Sequence, residues 1–129
     1  MSTKLVMPLR TIRPQSLVPQ TFVDVPDMAV VFYVALGEAV KVDFSASISS
    51  PSRGPLLIRL LFDDNPSLTI EPSKIRINPN STATRYTATF LLPIENGLGP
   101  GNHIVKIQWR SPQPLQVTSS GRVLVVEHN

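Results

Sequence analysis

Two histidines, His103 and His128, are the side chains best suited to proton transfer near neutral pH. His103 begins an alternating apolar segment and His128 is next to the last residue. Neither has a second ligand at metal-binding spacing. The sequence contains no G-x-S-x-G turn for a nucleophilic serine and no phosphate-binding glycine motif. We therefore interpret both histidines as packed or rim residues, and expect no catalytic residue, no cofactor, no metal and no small-molecule substrate.

Consecutive oxygen-bearing side chains at Asp63, Asp64 and Asn65 could coordinate Ca²⁺. EF-hand spacing and a bidentate glutamate are missing. The alternative is a hairpin turn in which short polar side chains bond their own backbone. We favour the turn. Asp24 and Asp27 flank Pro26, and we interpret them as turn residues too.

Aromatic side chains could form a sugar-binding platform, for which Tyr33, Tyr86 and Trp109 are the candidates. All three lie in alternating segments that predict burial. We therefore assign the larger aromatics to the core or to a subunit interface. They are Phe32, Phe44, Tyr86, Phe90, Trp109 and Tyr33.

The segment Gly101–Arg110 has the period-2 pattern of a strand with one buried face, on which His103, Val105, Ile107 and Trp109 lie together. Trp109 is the only tryptophan, so we place this strand at the centre of the core. The other predicted strands are Thr21–Val25, Met28–Val34, Val40–Ile48, Leu56–Phe62, Leu68–Ile70, Lys74–Ile77, Thr84–Leu92, Val117-Thr118 and Arg122–Glu127, with a turn at Ser119-Ser120-Gly121. No long segment has helical spacing, and thirteen prolines oppose helices. The pattern predicts an all-β antiparallel sandwich, a jelly roll of about eight strands.

The chain of 129 residues suits one domain, and its 42% hydrophobic content suits a globular core. It has no cysteine, hence no disulfide framework, and no apolar run long enough to cross a membrane. We expect an extended N-terminal arm at residues 1–20, which contain Pro8, Pro14 and Pro19, and a jelly-roll domain at residues 21–129.

Charge is divided between these two parts. Residues 1–20 carry three cations and no acid, whereas the rest has nine basic and nine acidic residues. The arm is either a solvated tail or an ordered segment, and its apolar residues favour an ordered one that packs on its own body or docks on an acidic neighbouring protein; we favour docking. Nucleic-acid binding ranks third, because three separated cations make few phosphate contacts. The candidate partner-binding residues are Lys4, Leu5, Val6, Leu9, Arg10, Ile12 and Arg13.

Five segments resemble the tumour-necrosis-factor-like jelly rolls of bacterial and bacteriophage proteins. They are Phe22–Val30, Val40–Ser47, Leu57–Asp63, Gly101–Arg110 and Gly121–Glu127. They are similar to the family's "DVPG", "VSFSAS", "RLLVDG", "G-H-V-QWR" and closing "R-L-V" stretches. The sequence departs from the family at Asp27 and at Asp64-Asn65, where the family often has glycine.

The resemblance implies a homotrimer with apolar surfaces near a three-fold axis, no catalysis, and a place on a virion. The chain has neither a Gly-X-Y repeat nor heptads that would indicate a fibre stalk. We therefore expect a capsid decoration (cement) protein that clamps major capsid subunits of a phage head assembled in the host cytoplasm. The alternatives are a receptor- or carbohydrate-binding tip of a phage tail or fibre and, third, a hydrolase on a jelly-roll scaffold.

Overall fold

The computed structural model describes residues 2–6, 13–17, 21–51, 53–65, 70–92, 99–112 and 115–128. These residues form nine strands, and all strand pairs are antiparallel. In chain order they are β1 (Ser2–Val6), β2 (Arg13–Leu17), β3 (Val23–Val34), β4 (Val40–Ser49), β5 (Leu56–Phe62), β6 (Ile75–Ile77), β7 (Thr84–Leu92), β8 (Gly101–Arg110) and β9 (Leu115–His128).

The strands form two sheets. Sheet A has the order β1-β9-β4-β7, with β2 also paired to β9, and sheet B has the order β3-β8-β5-β6. From β3 onward the chain crosses between the sheets at almost every step, and only β5 and β6 follow one another within a sheet. This alternation is the strand order of a jelly roll. The predicted all-β antiparallel sandwich is confirmed.

The core lies between the sheets and is built from alternate side chains. In β4, Val42, Phe44 and Ala46 face inward and are at most 1% exposed. Strand β8 lies between β3 and β5 and turns Val105, Ile107 and Trp109 into the same core. Burying whole apolar side chains stabilises such a sandwich by about 1.5–3 kcal/mol each. The predicted central role of the Trp109 strand agrees with this position.

Strand β9 continues through a bulge at Gly121, so the predicted turn at residues 119–121 is wrong. Ser45 pairs with Val123 and Ser47 with Ser120, so β9 has one residue more than β4 across this interval. Gly121 has φ +57°, the left-handed conformation that glycine adopts in such bulges. The extra residue also shifts the side-chain alternation, so that Arg122 is turned inward and buried.

The two sequence departures from the family's glycines fall at left-handed backbone positions. Asp27 has φ 62° and lies where the pairing of β3 with β8 is interrupted, between Asp24 and Ala29. Asp64 has φ 56° and follows Asp63 in a tight turn, which the Asn65 amide closes by donating to the Phe62 carbonyl at 3.0 Å. Aspartate tolerates this conformation better than most residues, which explains how it replaces glycine here.

Two segments of the expected arm form strands of the sandwich. β1 and β2 pair with β9 along the edge opposite β4, so residues 2–6 and 13–17 belong to sheet A and do not extend away from the body. Among the described residues β2 pairs with β9 alone, and proline is tolerated in such an edge strand. Apolar residues close to three prolines obscured this pairing in the sequence. The boundary at residue 20 itself stays a prediction.

Candidate interaction surface

His103 is held by acceptors on both ring nitrogens. Its Nδ1 lies 2.5 Å from Asp63 Oδ2 and its Nε2 lies 2.7 Å from the Gly99 carbonyl. Burial lowers the pKa of His103, but the bonds to Asp63 and Gly99 outweigh it, and the net pKa is raised. Two acceptors require two ring protons, so this geometry favours the imidazolium. The ring also packs on Phe62 at 5.0 Å, which joins the start of β8 to the end of β5.

The carboxylates of the turn after β5 are bound by residues of the adjacent strand β8. Asp63 Oδ1 accepts the Ile104 amide at 3.0 Å, and Asp64 Oδ1 pairs with Lys106 Nζ at 2.8 Å. Across the described residues no group of three His, Cys, Asp or Glu side chains has the geometry to hold a metal ion. These contacts support the interpretation of Asp63, Asp64 and Asn65 as a hairpin turn.

His128 occupies a similar position in sheet A. Its Nδ1 lies 3.3 Å from each carboxylate oxygen of Glu38, and its ring packs on Phe32 at 5.6 Å. The Ala35 amide donates to Glu38 at 2.5 Å and, with His128, lowers the pKa of Glu38. The contact joins the end of β9 to the loop after β3. Each histidine therefore has one carboxylate partner and a packing role.

An arginine cluster, defined as Arg59, Arg76 and Arg110, lies at one end of the outer face of sheet B. Arg110 of β8 and Arg76 of β6 are both register partners of Leu57 in β5. Arg59 is two residues further along β5, so its side chain shares that outer face. The register therefore gathers three cations from three strands.

Phe22 and a hydrogen-bond chain fix two of these guanidinium groups. The Phe22 ring lies 4.0 Å from Arg59 Cζ and 4.8 Å from Arg110 Cζ. Gln108 Oε1 accepts Nε and Nη2 of Arg59 at 2.9 and 2.7 Å, while Gln108 Nε2 donates to Asp24 Oδ1 at 2.8 Å. These hydrogen bonds link β3, β8 and β5 and hold Arg59 in one orientation.

The positive charge of this cluster is not neutralised within the described residues, where none of its three guanidinium groups has an acidic side chain within 4.0 Å. Arg110 Nε is buried and lacks a hydrogen-bond partner there. Burial lowers the pKa of Arg59, and the neighbouring charge of Arg110 lowers it further. The face therefore presents paired, partly desolvated cations.

A second feature of the same face is apolar. Val31 and Tyr33 of β3 point outward and are 57% and 59% exposed. β3 pairs with β8 alone among the described strands, so its other edge has no partner there. An edge strand with exposed apolar side chains is a ready site for association with another chain.

The predicted site residues separate into three groups. Phe32, Phe44, Phe90 and Trp109 are at most 5% exposed and form the core. Tyr86 is partly buried against it. Tyr33 lies outside the core, because β3 is apolar on both faces and periodicity alone does not tell which face is inward; of its two predicted roles, the subunit interface stays a prediction.

The arm residues are divided by the described ranges. Lys4, Leu5 and Val6 lie in β1 and Arg13 lies in β2, all paired through their backbones to β9. Leu9, Arg10 and Ile12 lie outside the described residues. The predicted role of these seven side chains in partner binding stays a prediction.

Sequence reasoning missed the arginine cluster. The alternation of β5 and β8 indicates only that Arg59 and Arg110 face outward. Their proximity depends on which strands are neighbours and in what register, which a single sequence does not show. Phe22 precedes β3 and gave no signal beyond its apolar character.

No protein-family model matches the sequence, and no curated protein is significantly similar to it. Solved structures do share the fold. The structure of infectious bursal disease virus, Gt strain, matches with a TM-score of 0.57 and 12% identity, over 98% of this chain and 33% of that chain. The VP2 subviral particle of the same virus matches with 0.54 and 9% identity, over 98% and 33%. A carbohydrate-binding module, CBM4, matches with 0.46 and 11% identity, over 95% and 78%.

The likeness to the virus chains shows the sandwich fold alone. The chain spans about a third of the length of the virus chains that it matches. The carbohydrate-binding module has a TM-score too low to carry an argument. The resemblance to tumour-necrosis-factor-like domains has no matching family model and stays a prediction. Within the described residues no helix is long and apolar enough to cross a membrane.

Proposed function

We propose that this chain is a non-enzymatic virion structural protein: a homotrimeric capsid decoration protein of a phage head, assembled in the host cytoplasm. The observation that carries the proposal is the apolar outer side of β3 beside a strand edge that has no partner among the described residues. The fold agrees with this role, because VP2 of a subviral particle contains the same kind of sandwich. A protein of this kind works by burying surface against copies of itself and against a shell.

The trimer contact is proposed to lie along β3. Val31 and Tyr33 are more than half exposed, and Ile104, the register partner of Val31, adds a partly buried apolar side chain beside them. Burying such surface between copies contributes about 25 cal/mol per Å² before the cost of association. Three copies related by a three-fold axis would each bury this strip.

Sedimentation equilibrium tests the trimer. The expected mass is about 43 kDa, three times the 14.2 kDa of one chain. Val31→Lys combined with Tyr33→Lys should give a folded monomer, because two charges would have to lose water in the interface. Leu91→Lys is the matched control, since Leu91 is 49% exposed but lies on β7 of sheet A. A monomeric unmodified chain, or an equal effect of the control, would overturn the proposed contact.

Contact with the major capsid protein is proposed to involve the arm residues between the two paired segments. Removing residues 1–20 would also remove β1 and β2, so a binding defect in that deletion has two explanations. Leu9→Asp combined with Ile12→Asp leaves both strands in place. We expect this variant to remain trimeric but to stop co-sedimenting with capsids, and retained co-sedimentation would remove the arm from the proposal.

Carbohydrate binding remains the second candidate, supported by one observation. Of the three candidate aromatics, Tyr33 alone is exposed, while Trp109 is 1% exposed and Tyr86 packs against the core. A sugar platform would therefore have to use Tyr33. Glycan-array binding that is lost in Tyr33→Ala would favour this candidate over the decoration role, whereas binding unaffected by Tyr33→Ala would exclude the platform.

A further inference from the structure

We propose that the arginine cluster of sheet B is a binding site for the carboxylates of an acidic segment of another protein. The inference does not depend on a virion role. It rests on three guanidinium groups that the strand register gathers on one outer face, two of them within 4.8 Å of the Phe22 ring centroid.

Without a ligand, the like charges of the arginine cluster destabilise one another. Like charges on neighbouring strands repel, and the charge of Arg110 helps to lower the pKa of Arg59. Arg110 is also partly desolvated, since its Nε is shielded from water and has no acceptor among the described residues. Desolvation raises the cost of positive charge that has no partner, and a carboxylate on this face supplies the negative charge.

The guanidinium groups of Arg59 and Arg110 are held in place before a ligand binds. Gln108 accepts from Arg59 with its amide oxygen, while Asp24 accepts from the amide nitrogen and so fixes the orientation of the group. Arg59 uses Nε and Nη2 on Gln108, which leaves other N–H groups of the same rigid fork for a ligand. Phe22 stacks with both guanidinium groups and limits their motion. Preorganised guanidinium groups lose less freedom on binding.

The site suits a carboxylate better than nucleic acid. Beyond residue 20 the chain has nine basic and nine acidic residues, so no broad positive field surrounds the cluster. Affinity for nucleic acid depends on many phosphate contacts, whereas this site offers three cations. Planar guanidinium groups match the two oxygens of a carboxylate. Leu57 lies between Arg76 and Arg110 and adds an apolar patch that suits a peptide.

Fluorescence anisotropy of fluorescein-labelled hexaglutamate with the full chain tests the site, with labelled hexaglutamine as the neutral peptide. Arg59→Gln combined with Arg110→Gln should weaken hexaglutamate binding at least tenfold. Lys41→Gln combined with Arg85→Gln removes the same charge from β4 and β7 of sheet A and should change binding less than twofold. Arg59→Lys combined with Arg110→Lys keeps the charge but loses the planar fork, and should weaken binding at least fivefold.

Equal losses in the Arg59/Arg110 glutamine pair and in the Lys41/Arg85 glutamine pair, or unaltered binding in the Arg59/Arg110 lysine pair, would overturn the site. Tighter binding of single-stranded RNA with the same dependence on both arginines would overturn the carboxylate assignment. If the double glutamine variant fails to fold by circular dichroism, Arg110→Gln alone decides, because it leaves the bonds of Arg59 to Gln108 intact. It should then weaken hexaglutamate binding at least threefold, and an unchanged affinity would overturn the proposal.

Discussion

Replacing Trp109 by phenylalanine tests the account of the core, because two opposing effects nearly cancel. Trp109 is 1% exposed, and its indole Nε1 is buried without a hydrogen-bond partner among the described residues. Phenylalanine loses two ring carbons, which costs about 1.6 kcal/mol at roughly 0.8 kcal/mol per carbon. It also removes the unpaired N–H, which returns about 1–3 kcal/mol. The free energy of unfolding should therefore change between a loss of about 0.6 and a gain of about 1.4 kcal/mol.

Two further variants give the scale for this result. Trp109→Ala should cost about 3–5 kcal/mol, because it leaves a large cavity. Phe90→Leu, at a position with 0% exposure, loses ring carbons without relieving a polar group and should cost about 2 kcal/mol. Urea unfolding should be followed by far-UV circular dichroism at one protein concentration, since Trp109 is the only tryptophan. If Trp109→Phe costs as much as Phe90→Leu or more, the indole N–H is not an unrelieved cost and the reasoning fails.

Three other perturbations follow from named contacts. The pKa of His103 is raised, so its stabilisation is complete below the unfolded pKa of about 6.5 and is lost as pH rises through the folded value. The deficit of His103→Gln in urea midpoint should therefore shrink as pH rises above about 6.5, and a constant deficit would contradict this. Gly121→Ala forces alanine to φ +57°, with a Cβ 2.9 Å from Arg85 Nη1, and should cost about 1–2 kcal/mol in urea unfolding, whereas Gly99→Ala, with open space around it, should cost little. Deleting residues 1–20 should lower the melting temperature and cause aggregation, because the outer edge of β9 loses both partners; unchanged melting would argue against β1 and β2 as strands.

Alternation predicted most of the sandwich from the sequence. Thr84–Leu92, Leu56–Phe62 and Gly101–Arg110 were predicted with the bounds that the structure has. Each has one clearly buried face, so period and burial agree. β9 was divided in two because Ser119-Ser120-Gly121 resembles a turn. In the structure Gly121 is a bulge, and the strand continues through it.

The surface was less predictable, because it depends on long-range register. The exposure of Tyr33 follows from the position of β3 at the edge of sheet B, and an apolar sequence on both faces does not reveal that position. Arg59 and Arg110 are separated by about fifty residues, and β5 and β8 become neighbours only in the folded sheet. Predicting β1 and β2 would have required knowing that β4 covers only one edge of β9. Local patterns therefore predicted strands, while the candidate sites required strand order.

Cross-linking at position 31 tests the central claim, that copies of the chain meet along β3, most directly. The chain has no cysteine, so Val31→Cys introduces a single thiol on the outward side of β3, and Leu91→Cys introduces one on β7 as the control. A short tris-maleimide linker at micromolar protein should convert the Val31→Cys chain mainly to a covalent trimer and leave the Leu91→Cys chain monomeric. Modified monomers alone at position 31, or equal trimer yields at both positions, would contradict the account.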